Sequence, residues 1–283
     1  MANTPAPLSF APAFSALIIG AIAMGVSPIF VRFAEVGPFA SAFWRAALAL
    51  PILLIWAVIE SKRHANHSGG PSHMSQVFRI DGAIFLAGLF FAGYLFFWHL
   101  SILNTTIANA TLLACLAPVW VLLLSGSLIG ETVSRRAYFG LGLCLIGTAA
   151  LIGSSFAYAP HRLLGDLYGF ATSLFFGLYF LAVRVARRDH QAGAVTFMST
   201  GVTTLVLLAI TLVSGQSFLP ETIYGLSALL ALGWVSHTLG QGLLAVALGA
   251  LSAAFSSLVI FIEALAAALF AWLLPTEPAC HLY

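Results

Sequence analysis

Apolar residues in this chain fall into runs about 20 residues long, nearly free of charge and separated by short polar connections. Runs of that length match the thickness of a hydrocarbon core, so they predict bilayer-crossing helices rather than strands. The predicted spans lie at about 12–33, 38–60, 80–102, 105–128, 137–154, 166–187, 194–214, 222–245 and 250–274. Only 61–79 is a sizeable connection, and its Lys, Arg, His, Ser, Gly and Pro content predicts a flexible, solvated loop. Pro28, Pro51 and Pro118 fall inside spans and are expected to kink them. Small residues four apart, such as Ala110/Ala114, Ser252/Ser256 and Ala253/Ser257, are expected to let helices approach closely.

The composition agrees: 61% of the 283 residues are hydrophobic and only 7% are charged, too few to cover a water-facing globule. Where the charges sit matters more than their sum of +2. Lys62, Arg63, Arg79, Arg135, Arg136, Arg184, Arg187 and Arg188 fall on one side of the predicted membrane, against only Arg32 and Arg162 on the other. By the positive-inside rule this puts the N-terminus in the cytoplasm. Met1–Phe10 holds no Lys or Arg, so the first run reads as a retained span rather than a cleaved signal. Cys115, Cys144 and Cys280 lack metal-ligand spacing, and no metal or cofactor is expected. No basic patch points to nucleic acid.

The chain also echoes itself. The stretch from Asn104 to Gly130-Glu131 recurs, loosened, from Ala250 to Thr276-Glu277. Each copy runs from a small, hydroxyl-rich helix start through an apolar span to a glutamate. An odd number of spans per half makes the second copy enter from the opposite side, as in the inverted repeats of secondary transporters. The halves are read as 1–155, with five spans, and 156–283, with four. The repeat leads one to expect a tenth span after Glu277, which the sequence to Tyr283 lacks.

Polar groups inside a bilayer are costly, so each needs a reason. Tyr94 and Trp98 are four apart on one face of the third span, with His99 next in line. Trp234, His237 and Gln241 are spaced by three and four in the eighth, and Tyr179 lies in the sixth. These seven are candidate substrate-binding residues, because rings with a few hydrogen-bonding groups suit an amphiphilic organic solute. For Trp98 and His99, an interfacial aromatic belt explains the sequence equally well. Glu263 is a carboxylate well inside a span, and an ionised one there needs a partner such as Arg45 or His237. It is a candidate ion-coupling site, or else a structural hydrogen bond between helices. Arg45 either binds a substrate carboxylate or snorkels and anchors helix ends. No protease, hydrolase, P-loop or dinucleotide motif occurs, so neither an enzyme nor an ATP-driven pump is expected.

Ser27-Pro28 to Arg32, Ala42 to Arg45, Thr105 to Pro118 with Gly130-Glu131, and the echo from Gly249 to Glu263-Ala264 resemble the drug/metabolite transporter superfamily, of the EamA-domain kind. The likeness covers nearly the whole chain and rests on the order and spacing of individually weak motifs. It implies an all-α membrane bundle of two inverted five-helix repeats. It also implies export of amino acids, aromatic or hydrophobic ones foremost, and related metabolites across the bacterial inner membrane. The rival readings are a non-gated pore and, less favoured, a membrane-embedded enzyme. Ala264 stands where the first repeat has Pro118, so one expected kink is absent from the second repeat.

Overall fold

The computed structural model describes residues 9–68, 77–105, 107–153 and 163–273; Arg162, Glu277, Cys280 and residues 69–76 of the predicted loop lie outside them. The described residues form nine helical units and no strand. Seven of these, Phe10–Phe33, Pro38–Asn66, Gly82–Asn104, Asn109–Ile129, Leu163–Asp189, Ala192–Ser214 and Ile223–Ala250, are long and apolar enough to cross a membrane. The other two predicted spans, 137–154 and 250–274, are seen as a helix at Arg135–Gly153 and a shorter, interrupted helical unit at 253–273.

Several spans are broken in two. The first comprises α1 (Phe10–Gly25) and α2 (Ser27–Phe33), and the second α3 (Pro38–Ala47) and α4 (Leu50–Ser68). The third is the unbroken α5 (Gly82–Asn104); the fourth is α6 (Ile107–Ala114) and α7 (Ala117–Leu124), followed by a π-helical turn at Ser125–Ile129. Pro28, Pro51 and Pro118 each sit in the first turn of a second segment. There the missing N–H has no helical partner to lose, so proline marks the break at little cost. The fifth helix is α8 (Arg135–Gly153), the sixth α9 (Leu163–Asp189) and the seventh α10 (Ala192–Ser214). The eighth is α11 (Ile223–Ala231), a π-helical stretch Leu232–Gln241 and α12 (Gly242–Ala250); the last is α13 (Ala253–Val259) and α14 (Phe261–Leu273).

Two sequence expectations need correction. The last span is interrupted at Ile260 although it has no proline, and the Glu263 amide reaches back only three residues to the Ile260 carbonyl at 2.8 Å. The second span also does not give way to a loop at 61, because α4 runs on to Ser68. Its extension holds Lys62, Arg63 and Ala65, which are good helix formers, and meets no Gly or Pro before Gly69.

The bundle is organised about α5 and α9, which make its most extensive packing contact. On α9, Gly165, Gly169, Ser173 and Gly177 recur every four residues and form one smooth ridge. A Cβ at Gly165 would stand 2.5–2.6 Å from the Asn104 and Thr105 backbone, and one at Gly169 2.9 Å from Leu113. The ridge brings α9 against α5 and the broken fourth span together. Ser101 Oγ donates to the Gly165 carbonyl at 2.8 Å, and Trp120 Nε1 to Ser173 Oγ at 2.9 Å.

Polar contacts tie the halves together at both ends. At the arginine-rich face, Arg184 pairs with Glu131 at 2.6 Å and donates to the Leu248 carbonyl at 2.7 Å. The other Glu131 oxygen accepts from the Ala253 amide at 3.0 Å, at the start of α13. The end of the fourth span thus meets the beginning of the last, so the two echoed segments cross in opposite senses. At the same face, Arg188 donates to the Ile129 carbonyl and Glu60 accepts from the Gly193 amide, both at 2.6 Å. Asp81 caps α5 through the Ile84 amide at 2.9 Å and bonds His190 at 2.8 Å. Burial works against ionisation of Asp81, but the amide and ring bonds outweigh it and hold its carboxyl below the usual range. At the far face, Gly215 ends α10 in the left-handed conformation, φ 64°. Beyond it Gln216 accepts from the Phe39 amide at 3.0 Å, and Glu35 accepts from the Thr222 hydroxyl at 2.8 Å and its amide at 3.0 Å.

Two measurements check this packing. Gly165→Val is expected to lower stability in detergent by about 1–3 kcal/mol, seen as a clear fall in thermal midpoint. Gly142→Val, at a position with open space around it, makes the same residue change with a much smaller fall. For Asp81, the depressed carboxyl means its ionised form stabilises the fold above the ordinary carboxylate range. The midpoint gap between wild type and Asp81→Asn is therefore present at neutral pH and closes as pH falls below about 4.

Candidate functional site

Three interrupted spans meet near mid-depth. The breaks at Val26, Cys115–Leu116 and Ile260 bring Gly25, Ser27, Pro28, Thr111, Cys115, Ile260 and Glu263 around one cavity, to which α5 adds Tyr94 and Trp98 and α9 adds Phe176. Glu263 lies ten residues from the start of α13, roughly 15 Å at the helical rise and about half the hydrocarbon thickness. The local sequence builds this junction. Gly25 allows α1 to touch the last span, since a Cβ there would stand 2.7 Å from the Glu263 carbonyl and the Ala266 Cβ. Pro28 and Pro118 end their upstream segments beside it.

The cavity is small, about 30 Å³, enough for a water molecule or two but not for an amino acid. Around it, hydrogen bonds join the helices at both ends of the bundle.

Around the cavity the rings form a continuous stack. Tyr94 and Phe176 are stacked at 4.5 Å, Phe91 lies 5.3 Å from Tyr94 and 4.8 Å from Tyr179, and His237 meets the Phe91 ring edge-on at 5.3 Å. Arg45, only 3% exposed, has its guanidinium 6.0 Å from the Phe91 centroid and donates from Nη1 to Ser27 Oγ at 3.0 Å. It is buried inside the bundle and does not snorkel. His237 shares a 2.8 Å hydrogen bond with Thr200, and Gln241 donates to Met24 Sδ at 3.0 Å.

Among the described residues, Arg45 Nε, His237 Nδ1, Gln241 Oε1, His99 Nε2 and Thr111 Oγ1 are buried without a hydrogen-bond partner. Buried polar atoms are ordinarily satisfied; of these five, Thr111 lines the cavity and the others lie outside its lining. The described residues hold no cluster of three or more His, Cys, Asp or Glu able to bind a metal.

The predicted residues divide in space. Tyr94, Trp98 and Glu263 line the cavity; Tyr179, His237 and Arg45 stand behind the lining, joined through Phe91 and Ser27. His99 is buried, donating from Nδ1 to the Leu95 carbonyl at 2.7 Å and packed edge-on against Trp98. The burial of Trp98 and His99 places them in the interior, not in an interfacial belt. Trp234 is not brought into the group. It is 48% exposed and donates to the Leu48 carbonyl at 3.2 Å. The reason is local winding: Leu232–Gln241 is π-helical, and its wider turn rotates Trp234 off the face that α-helical spacing shares with His237.

Four participants went unread in the sequence: Phe91, Ser27, Thr111 and Phe176. Phe91 is three residues before Tyr94, Phe176 three before Tyr179, and Thr111 lies in the echoed segment, so helical spacing from the predicted residues was the available signal.

An interrupted-helix bundle with a ring-walled central cavity has the architecture of a secondary transporter. The sequence profile of the EamA-like transporter family matches residues 11–153 and 163–279, and the chain belongs to that family. It is 30% identical over 168 residues to the pseudopaline exporter CntI of Pseudomonas aeruginosa, in strains UCBPP-PA14 and PAO1. That similarity covers 59% of this chain and 57% of the relative, so just over half the length of the curated relative is spanned. A solved crystal structure of a protein shares the fold, with a TM-score of 0.73 at 20% identity over 96% of this chain and 92% of that one.

The geometry separates two tryptophans. Trp98→Ala, in the cavity wall, is expected to reduce transport about tenfold or more. Trp234→Ala, on the outer surface, is expected to change it less than about twofold. Initial rates in reconstituted vesicles compare them.

Proposed function

We propose that this chain is an alternating-access exporter of amino acids, aromatic and hydrophobic ones foremost, and of related small metabolites. It works in the bacterial inner membrane with its N-terminus in the cytoplasm. The two halves, 1–155 and 156–283, act as the rocking units. The observation that carries the reading is the mid-depth cavity at the meeting of three interrupted spans, walled by Tyr94, Trp98 and Phe176 and edged by Ser27, Thr111 and Glu263. Rings provide an apolar face for an amphiphilic solute, and hydroxyl and carboxylate groups orient its polar end. Tyr179, His237, His99 and Gln241 form the surrounding layer that becomes available as the cavity widens.

Membership of the EamA-like transporter family supports transport as the activity. The similarity to a pseudopaline exporter supports the outward direction and adds pseudopaline to the solutes worth testing. The closing contacts at both faces, Glu131–Arg184–Ala253 and Glu35–Thr222, suit a carrier that opens one face at a time. A permanently open pore has no use for them.

Proteoliposomes loaded with a labelled amino-acid mixture, with and without the same solutes outside, test this. Saturable loss of aromatic and hydrophobic amino acids, accelerated by external substrate, is the expected outcome. Loss that rises linearly with concentration and ignores external solute indicates a pore instead.

A further inference from the structure

Arg45 and Glu263 pose a problem that neither solves alone. Both sit in the interior of spans, where an uncompensated charge is expensive. They lie on different broken spans, Arg45 on α3 and Glu263 on α14, and meet the same cavity, Glu263 directly and Arg45 through Ser27. Yet among the described residues neither has an ion-pair partner within 4.0 Å. The Glu263 side chain edges the cavity, and no described residue gives its carboxylate a hydrogen bond. Arg45 approaches the same cavity through Ser27, a lining residue that takes only Nη1, and its buried Nε is left without a partner. Two opposite charges in contact would need no third party. Held apart beside a cavity, they make a site with one pole of each sign.

We propose that Arg45 and Glu263 are the two poles of a clamp for zwitterionic solutes, Glu263 receiving an ammonium group and Arg45 a carboxylate, with Tyr94, Trp98 and Phe176 holding the apolar remainder. The clamp rests on the exporter reading and names its substrate class: molecules carrying both charges a short distance apart. A zwitterion satisfies both protein charges at once and is itself neutral overall. A singly charged solute leaves one pole unmatched, so it is disfavoured rather than merely bound less well. The guanidinium offers several fixed donors in a plane and suits a carboxylate particularly well.

The test uses the full chain in proteoliposomes loaded with labelled L-phenylalanine, measuring exchange against three external probes. These are L-phenylalanine, its amide (ammonium only, at a pH where the amine is protonated) and N-acetyl-L-phenylalanine (carboxylate only). Wild type is expected to prefer the zwitterion to either single-charge probe by about tenfold or more. Arg45→Gln should bring phenylalanine down to the level of the amide while the amide itself changes little. Glu263→Gln should bring it down to the level of the N-acetyl probe. Arg45→Lys and Glu263→Asp, which keep the charges, should retain part of the preference.

A fall of all three probes together in the neutral variants means a structural role and overturns the clamp. Equal exchange of the three probes by wild type overturns it without any variant, leaving amino-acid export intact. No exchange of any probe by wild type removes the amino-acid reading and the clamp with it.

Discussion

A backbone carbonyl released from its helix inside a bilayer has no water to turn to, and leaving it unpaired costs several kcal/mol. Interrupted helices are therefore tolerated at membrane depth only where they face protein or line a polar space. This chain interrupts its first, fourth and last spans and brings the breaks at Val26, Cys115–Leu116 and Ile260 to one place. The cavity follows from that convergence. So does the company it keeps, because the hydroxyls of Ser27 and Thr111 and the carboxylate of Glu263 are polar enough to share a site with loosened backbone.

The junction depends in turn on how closely the helices approach. The smooth ridge of Gly165, Gly169, Ser173 and Gly177 lets α9 lie against α5 and the fourth span, which sets Phe176 over Tyr94. In lipid, apolar side chains gain nothing by hiding from one another, so close van der Waals packing supplies the association. The charged contacts sit instead at the ends. Arg184 and Glu131 tie α9 to the start of α13 and to α12 at one face, while Glu35 and Gln216 join the halves at the other. Contacts of this kind, at the helix ends, are easier to break and remake than buried packing.

Much of the fold was legible in the residues. The apolar runs located all nine helical units seen among the described residues, though the second ran eight residues past its predicted end, and Pro28, Pro51 and Pro118 marked three real interruptions. Of the residues lining the cavity, Tyr94, Trp98 and Glu263 stood out in the sequence as polar or aromatic groups inside spans, Glu263 as a candidate for ion coupling and Trp98 equally as an interfacial ring. The break at Ile260 was not, since no proline announces it. Trp234 was misplaced because α-helical spacing was applied to a stretch that winds as a π-helix. The joining roles of Phe91 and Ser27 were hidden, because a phenylalanine or serine in an apolar run looks like ordinary packing.

The sequence by itself determined what crosses the membrane and in which alternating order. The free energy of moving a 20-residue segment into lipid is nearly a sum over its own side chains, so it can be read without knowing the neighbours. Only the tertiary structure decided which buried groups meet. Whether Arg45 faces Ser27 or lipid, and whether Glu263 finds a partner or a cavity, depends on the rotation and winding of each helix. Those are fixed by packing between segments more than 200 residues apart, such as α1 and α14.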